Sequence, residues 1–521
     1  MRISADQLAA EYDVVVVGGA LSGAATATLL KRKAPDARIL IIEKSETFGR
    51  RVGEATVEVS GYFLGRVLGL TRFLNETQLA KQGLRFWFAN ENVKALDQAS
   101  EIGPKYLARI PSFQIDRATV DEEVLRRAVE GGIDLLRPAI VSRIDLHSGG
   151  VQQIAVKCGD ERKEIRARWV VDASGFAAML SRKNGWWRPM PEHPTASVWT
   201  RWKGVKDWDG REFAERYPDW FAAHHGIRGT ATNHIIGDGW WSWWIPLKGG
   251  DTSVGIVYDK RLVDFPGDGG NIGDRLKEFL MRHPVAREMI CDATYEAADL
   301  HWRKSLPYTS ERYAGDGFAL VGDSAAFIDP FYSPGMDWVS FSASCSADLI
   351  AKSLAGGDTA MLVEKHNATI RLSLQRWFDA LYREKYQYIG DFELMKLAFR
   401  LDLGLYYWGV VRSVFDERED GFLTPPFSHP AAGPFAWLMA TYNRRLARIG
   451  ARRRRIGTFG AMNDRNNLLI PGFTLCPKEL KRIVPLLLTW LKLELTEGWR
   501  CREDDAPGVH EPIASQEIST P

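Results

Sequence analysis

The stretch from Tyr12 to Glu43 constrains this chain more than any other. Val14 to Val17 has the β-branched density of a strand buried on both faces. Gly18 and Gly19 break that run, Ser22 to Arg32 is built from small or apolar helix formers, and Ile39 to Ile42 reads as a second buried strand closed by Glu43. The pattern is a βαβ unit with a glycine turn at its first strand–helix junction. Such a turn aims backbone N–H groups and the positive end of a helix at a pyrophosphate. An acid about 20 residues past the last glycine is placed to take a ribose hydroxyl, and Glu43 stands there relative to Gly23. The usual glycine spacing is imperfect, because Ala20 replaces the middle glycine. Gly18, Ala20, Ser22, Gly23 and Glu43 are therefore the candidate dinucleotide contacts. The unit alone does not separate FAD from NAD.

A length of 521 residues predicts two to four domains, or one large core with an inserted lobe. The formal net charge of +2 argues against general affinity for nucleic acid. Five cysteines are odd in number and widely scattered, with no CxxC pair and no Cys/His cluster. Neither a disulfide framework nor a zinc site is expected, and no metal is assigned; a reducing compartment fits. No targeting signal precedes the first strand, and no apolar run reaches the roughly 18 residues that a bilayer span needs. The apolar segment Val484 to Leu495 is too short and carries Lys492 and Glu494. The expectation is a cytoplasmic protein without a membrane partner. Nineteen tryptophans, several close together, point to an aromatic-lined cavity.

Further along, Glu54 to Leu70 has helical spacing, and Leu84, Trp87 and Phe88 suggest an aromatic strand with Lys81 at its entrance. Asp116, Arg117 and Thr119 read as a helix start. Two strands follow between 150 and 171, the second ending in Asp172-Ala173-Ser174-Gly175, a tight turn against something close to the backbone. Residues 195 to 260 are β-like and aromatic, with a hairpin turn at Gly249-Gly250-Asp251. An amphipathic helix is predicted over 273–291. Ala319 to Val321 is another buried strand before the Gly322-Asp323 turn, and Trp338 to Leu354 a helix. Residues 361–416 read as helix almost throughout. Residues 503–521 are polar, hold three prolines and are expected to be disordered. His224 and His225 read as loop residues.

Four stretches form a set: GGALSG with Glu43, VVDASG, LVGDSAAFIDP and WSWWIP. The first three resemble the FAD-binding motifs of the flavoprotein monooxygenase superfamily and span about residues 12–340. The resemblance implies that Asp323 contacts the flavin ribityl and phosphate region and that the strand ending in Asp172 and Gly175 supports the adenine side. Trp241-Ser242-Trp243-Trp244-Ile245-Pro246 matches WxWxIP and is similar to the signature of flavin-dependent halogenases. In that family the tryptophans line the cavity beside the flavin, which assigns Trp241, Trp243 and Trp244 to its wall. A lysine away from the flavin directs the oxidised halide onto substrate, and Lys81 resembles it in context. An ammonium orients hypohalous acid by a charge-assisted hydrogen bond, whereas a haloamine needs a neutral amine with a lowered pKa; the sequence leaves both open.

The segment Pro330 to Gly335 carries Tyr332 where tryptophan halogenases have a glutamate. The resemblance is therefore to the phenol/pyrrole branch. The family's halide sits on backbone amides just after the Ser of this segment, here Ser333, followed by Gly335 and Met336. Pro334 intervenes and has no N–H, so one expected donor is missing.

The plainer readings are these. Lys81 at a strand entrance suits an ordinary surface lysine, and the tryptophans suit a sheet core. Asp323 suits a plain turn. Arg117 suits a pair with Asp121 one turn on, set against a flavin or strap contact. Glu54 suits a complement to a helix dipole, set against a place near the flavin. The arginines at 444, 445, 448 and 452–455 suit a solvated helical face, set against docking of an acidic acyl carrier protein.

The expected fold is α/β: a Rossmann-like, monooxygenase-type FAD domain (1–190 with 300–355), an inserted β-sheet substrate lobe (191–299), a helical C-terminal region (356–502) and a tail (503–521). The expected function is halogenation of an electron-rich aromatic by reduced FAD, oxygen and chloride or bromide, through hypohalous acid directed by Lys81. A separate flavin reductase supplies the reduced flavin, and the small aromatic substrate is free or tethered to an acyl carrier protein. The alternatives are a flavin-dependent aromatic hydroxylase and a flavin-binding assembly protein without halogenase turnover.

Overall fold

A computed structural model describes residues 2–223, 226–265, 270–472 and 481–502. The expected tail at 503–521 and the His224–His225 pair lie outside the described residues.

The Tyr12–Glu43 unit forms as its pattern requires. Strand Glu11–Val17 leads into helix Leu21–Lys33 and then strand Ile39–Ile42. The valines of the first strand and the isoleucines of the second are buried. They make the centre of a nine-stranded sheet, because strands covered on both faces are apolar at every position rather than at alternate ones. Strand Asp134–Leu136 pairs with Ile39–Ile42, strand Glu161–Asp172 with Glu11–Val17, and strand Phe318–Leu320 with the end of Glu161–Asp172, all in parallel. The early half of Glu161–Asp172 turns back in an antiparallel hairpin with Gln152–Cys158. The parallel pairing brings Val17, Ile42, Asp172 and Leu320 to one edge, with Val17 level with both Ile42 and Asp172, and Asp172 level with Leu320. The loops after those strands carry Gly18, Glu43, Gly175 and Asp323. Ligands of open α/β sheets bind outside the carboxyl ends of the strands for this reason.

A second sheet has strands Thr195–Lys203, Thr252–Asp259, Trp240–Pro246 and Thr232–Gly237 as neighbours. It is not confined to 191–299. Leu84–Phe88 joins parallel to Thr232–Gly237, Ser100–Pro104 joins next, and Asn467–Ile470 closes the edge. The aromatic strand Leu84–Phe88 needs cover on both faces, and a central position in a sheet supplies it. Trp87 falls into one apolar cluster, while Phe86 and Phe88 fall into the other.

Two helical expectations are corrected. The helix over 273–291 is two helices, Ile272–Met281 and Pro284–Ile290. Pro284 ends the first because its ring excludes the α conformation from the residue before it, and His283 caps the second by accepting from the Val285 amide at 3.3 Å. The region 361–416 is also interrupted. Helix Thr359–Trp377 passes through a π turn, Phe378–Tyr382, and a 3-10 turn, Lys385–Gln387, before helix Phe392–Tyr406 starts under an Asp391 cap. Helix Pro334–Leu354 begins four residues earlier than expected, since Pro at the first position is pre-set for a helix. Among the described residues no helix is long and apolar enough to cross a membrane.

Candidate active site

The glycine turn is held by contacts that only glycine permits. Gly18 has φ +104°, and a Cβ there would stand 2.5 Å from the Ala173 carbonyl oxygen. A Cβ on Gly23 would stand 1.9 Å from the Gly18 carbonyl oxygen. Helix Leu21–Lys33 thus packs directly on its own strand, and its N-terminus has no side-chain cap, since Ala20 has no group to offer. Its first-turn amides remain for an anion. Ser22 is in that first turn, against Gly322 of the Gly322-Asp323 segment. Glu43 accepts from the Gly19 amide at 2.8 Å and from the Ser45 amide at 2.8 Å. Each oxygen keeps a second lone pair for a ribose hydroxyl.

Asp323 is partly exposed, and among the described residues its carboxylate makes no hydrogen bond. Burial raises its pKa, while the charges of Arg117 and Arg303 oppose that rise. A carboxylate without a protein partner, flanked by two cations at the carboxyl edge of the sheet, fits a polar cofactor beside it. Gly175 has φ +63°, with open space where a Cβ would be. These features, with the uncapped helix, fit FAD.

Asp172 is corrected. It is fully buried, and its two oxygens accept from the Ser174 amide at 2.9 Å and the Leu180 amide at 2.7 Å. It builds the turn and offers no surface to a cofactor. Arg117 makes the plain pair, donating to Asp121 at 3.0 and 3.2 Å. Glu54 is buried and accepts from Arg201 at 2.8 and 3.1 Å through one oxygen, while the other has no partner. Burial raises its pKa against the pull of Arg201.

The second half of the site is a cavity of about 290 Å³. Lys81, Glu58, Tyr332, Pro334, Asp337 and Tyr406 stand on its wall. Lys81 ends the short strand Leu79–Lys81, which pairs with Ser112–Gln114. It is 2 % exposed, so it is not the surface lysine its position suggested. Its Nζ donates to the Thr56 carbonyl at 2.8 Å. Burial lowers its pKa to about 8, against the opposing charges of Glu58 and Asp337.

Tyr332 and Ser333 have φ +68° and +60°, two adjacent left-handed residues that each cost about 1–3 kcal/mol. The Ser333 amide donates to the Pro330 carbonyl at 2.9 Å, so it closes the turn instead of facing a halide. The Tyr332 hydroxyl donates to Asp402 at 3.0 Å, which ties the turn to helix Phe392–Tyr406. Gly335 and Met336 occupy the first turn of helix Pro334–Leu354, and a Cβ on Gly335 would meet open space. With Pro334 lacking an N–H, these two amides are the donors left at that helix end.

The tryptophans stand apart from Lys81. None of Trp241, Trp243 and Trp244 is on the wall of the cavity that holds Lys81. Side chains alternate along strand Trp240–Pro246. Trp241 and Trp243 therefore share one face, where Trp241 donates to the Tyr386 hydroxyl at 2.8 Å and packs 5.2 Å from the Phe331 ring. Trp244 points to the other face, into the cluster with Trp87 and Trp208. Phe331, next to Tyr332, is what Trp241 meets.

The arginine-rich face is also mostly committed. In helix Gly433–Arg455, Arg445 pairs with Glu494, Arg453 with Asp391 and Glu497, and Arg454 with Asp238. Arg453 is buried. It is neither a solvated face nor a free docking surface at those positions.

Sequence reasoning missed Glu58, Asp337 and Tyr406. Asp337 accepts from the Ser60 amide at 3.0 Å and the Tyr406 hydroxyl at 2.6 Å, and burial pushes its pKa up to about 7. No spacing announces these residues. The only available signal was that Glu58 lies two residues past Gly53-Glu54-Ala55-Thr56 and Asp337 just past Pro334-Gly335-Met336.

Residues 13–227 match the model of the FAD dependent oxidoreductase family. The flavin-dependent halogenase chlA of Dictyostelium discoideum is 25% identical over 430 residues, 76% of this chain and 69% of the relative. The 1H-pyrrole-2-carbonyl-[peptidyl-carrier protein] brominase of Pseudoalteromonas luteoviolacea is 27% identical over 355 residues, 67% of this chain and 79% of the relative. Among solved structures, halogenase PltM in complex with phloroglucinol and FAD has the same fold, with a TM-score of 0.71 at 18% identity over 92% of this chain and 96% of that one. The flavin-dependent brominase Bmp2 gives 0.63 at 22% identity over 84% of this chain and all of that one. The sheet, the glycine cradle and these matches define an FAD-dependent oxidoreductase. Within that class, the relatives and solved structures that this chain resembles are flavin-dependent halogenases.

Proposed function

We propose that the chain halogenates an electron-rich aromatic ring of the phenol or pyrrole type, and that Lys81 directs the electrophile. One observation carries this reading. Lys81 is a buried amine on the wall of a small cavity shared with Tyr332 and Pro334, and it spends one N–H, on Thr56. FAD in its reduced form, with oxygen, supplies the oxidation of chloride or bromide to hypohalous acid. Gly18, Gly23 and the uncapped helix would hold the pyrophosphate of FAD, Glu43 would take a ribose hydroxyl, and Asp323 would accept from a cofactor hydroxyl. The Gly335 and Met336 amides hold the halide more weakly than three donors would.

The remaining Lys81 N–H groups bind the oxygen of hypohalous acid and fix where its halogen points. Glu58 and Asp337 favour the ammonium, so a charge-assisted hydrogen bond is the form we assign in place of a haloamine. A cavity of about 290 Å³ suits a single substituted ring. The relatives point to both substrate forms: one solved structure holds phloroglucinol, and two curated relatives act on a pyrrole carried by a peptidyl-carrier protein. A separate flavin reductase feeds the enzyme, and the substrate lobe takes strands Leu84–Phe88, Ser100–Pro104 and Asn467–Ile470 in addition to residues 191–299.

The test is mass spectrometry of products from resorcinol, phloroglucinol and pyrrole-2-carboxamide with reduced FAD, oxygen and chloride or bromide. Products carrying one added halogen are expected. Hydroxylated products alone would turn the assignment to an aromatic hydroxylase, the reading that the lost Pro334 donor favours.

A further inference from the structure

Replacing ring hydrogen by halogen needs a base as well as a directed electrophile. As the carbon–halogen bond forms, the halogen–oxygen bond breaks and its electron pair leaves with oxygen. The ring carbon then holds both halogen and hydrogen and must lose a proton. The sum is ring C–H plus hypohalous acid giving ring C–X plus water. Lys81 can give the departing oxygen the proton that makes it water, but it cannot also accept the ring proton in that step.

Three carboxylates share the cavity wall with Lys81: Glu58, Asp337 and Asp402. Asp402 is spent. It accepts from Tyr442 at 2.6 Å on one oxygen, and from Lys385 at 2.6 Å and Tyr332 at 3.0 Å on the other. Asp337 is 1 % exposed, and each of its oxygens already takes a donor, the Ser60 amide and the Tyr406 hydroxyl. Glu58 differs from both. It opens helix Glu58–Tyr62 and is partly exposed, and the Tyr407 hydroxyl donates to its Oε1. Its Oε2 has no donor among the described residues. Its charge acts on Lys81 without an ion-pair contact between them, and both side chains stand on the wall of the one cavity.

We infer that Glu58 is a catalytic residue, the base that takes the proton from the halogenated ring carbon through Oε2, while Tyr407 holds Oε1 and sets the angle of the carboxylate. This rests on the halogenase reading above. The cycle closes by itself: Lys81 gives a proton to the oxygen, Glu58 receives one from the ring, and transfer from Glu58 back to Lys81 restores both. No further acid, base or oxidant is required.

The experiment uses the full chain loaded with FAD and fed by a flavin reductase, on whichever of the three probe rings the wild type halogenates. Glu58→Gln is expected to lower the rate of product formation about a hundredfold, the usual share of a general base. FAD binding, read by absorbance, stays unchanged. A primary isotope effect on ring-deuterated substrate, absent in the wild type, is expected to emerge in Glu58→Gln because proton loss becomes limiting. Glu58→Asp retains a carboxylate and is expected to recover most of the rate. The assignment is overturned if Glu58→Gln runs at the wild-type rate. It is equally overturned if that variant is slow without an isotope effect and Glu58→Asp is as slow. A wild type that halogenates none of the three probes brings down the functional reading itself, which is a different result.

Discussion

Lys81 and Lys385 are both buried, the first on the cavity wall that Tyr332 shares and the second against the Tyr332 ring, yet their surroundings assign them opposite tasks. Lys385 is fully buried, and its ammonium stands 5.5 Å from the Tyr332 ring centroid. It donates to the Tyr388 hydroxyl at 2.5 Å, to Asp402 at 2.6 Å and to Asn443 at 3.1 Å. An ammonium has three N–H groups, so nothing is left for a ligand. Lys81 reaches the cavity wall with one donor spent on Thr56 and no acid in contact. Burial lowers the pKa of both, but only Lys385 has a bonded carboxylate to oppose it. A satisfied buried charge is scaffold, and an under-satisfied one costs stability that only function explains.

The largest effect that sharpens this contrast is on turnover. Lys81→Ala is expected to lower halogenated product about a thousandfold, as loss of a preorganised donor does, while FAD absorbance shows the cofactor still bound. Lys385→Met should do the reverse. It strands Asp402 without its cation and is expected to cost about 3–5 kcal/mol of stability in a denaturant titration. Similar stability losses in the two variants would erase the distinction.

Lys81→Met is expected to raise stability near pH 7 by about 2 kcal/mol, net of the lost bond to Thr56. The sign follows from linkage. Its folded pKa, about 8, lies below the ordinary lysine value of 10.5, so between those values the unfolded chain binds more protons. Stability therefore rises with pH across that window in the wild type, the full cost is present below about pH 8, and the rise should vanish in Lys81→Met.

The same pKa fixes a rate profile. With chemically reduced FAD, turnover is expected to fall about tenfold per pH unit above pH 8 as the ammonium is lost. A rise through pH 8 would instead identify a neutral amine and a haloamine. The smallest expected effect concerns Pro334. Pro334→Ala restores one amide at the start of helix Pro334–Leu354 and is expected to lower the halide KM about fivefold, the worth of one hydrogen bond.

The sequence by itself determined the cofactor half of the molecule. Valines at consecutive positions, two glycines and an acid at the next strand end specify a buried parallel strand and its turn, because those requirements are local and periodic. The sequence reading puts Trp244 on one wall with Trp241 and Trp243, although strand parity sends it to the other face. Asp172 was placed correctly at a strand end, but which way its carboxylate turned depended on the Leu180 amide, eight residues on. Only the tertiary structure decided the reactive half. Glu58, Lys81, Tyr332, Asp337 and Tyr406 come from four separate stretches, and no period links them. Whether a lysine is reactive or inert depends on how many donors its neighbours absorb, and those neighbours are set by packing across the whole chain.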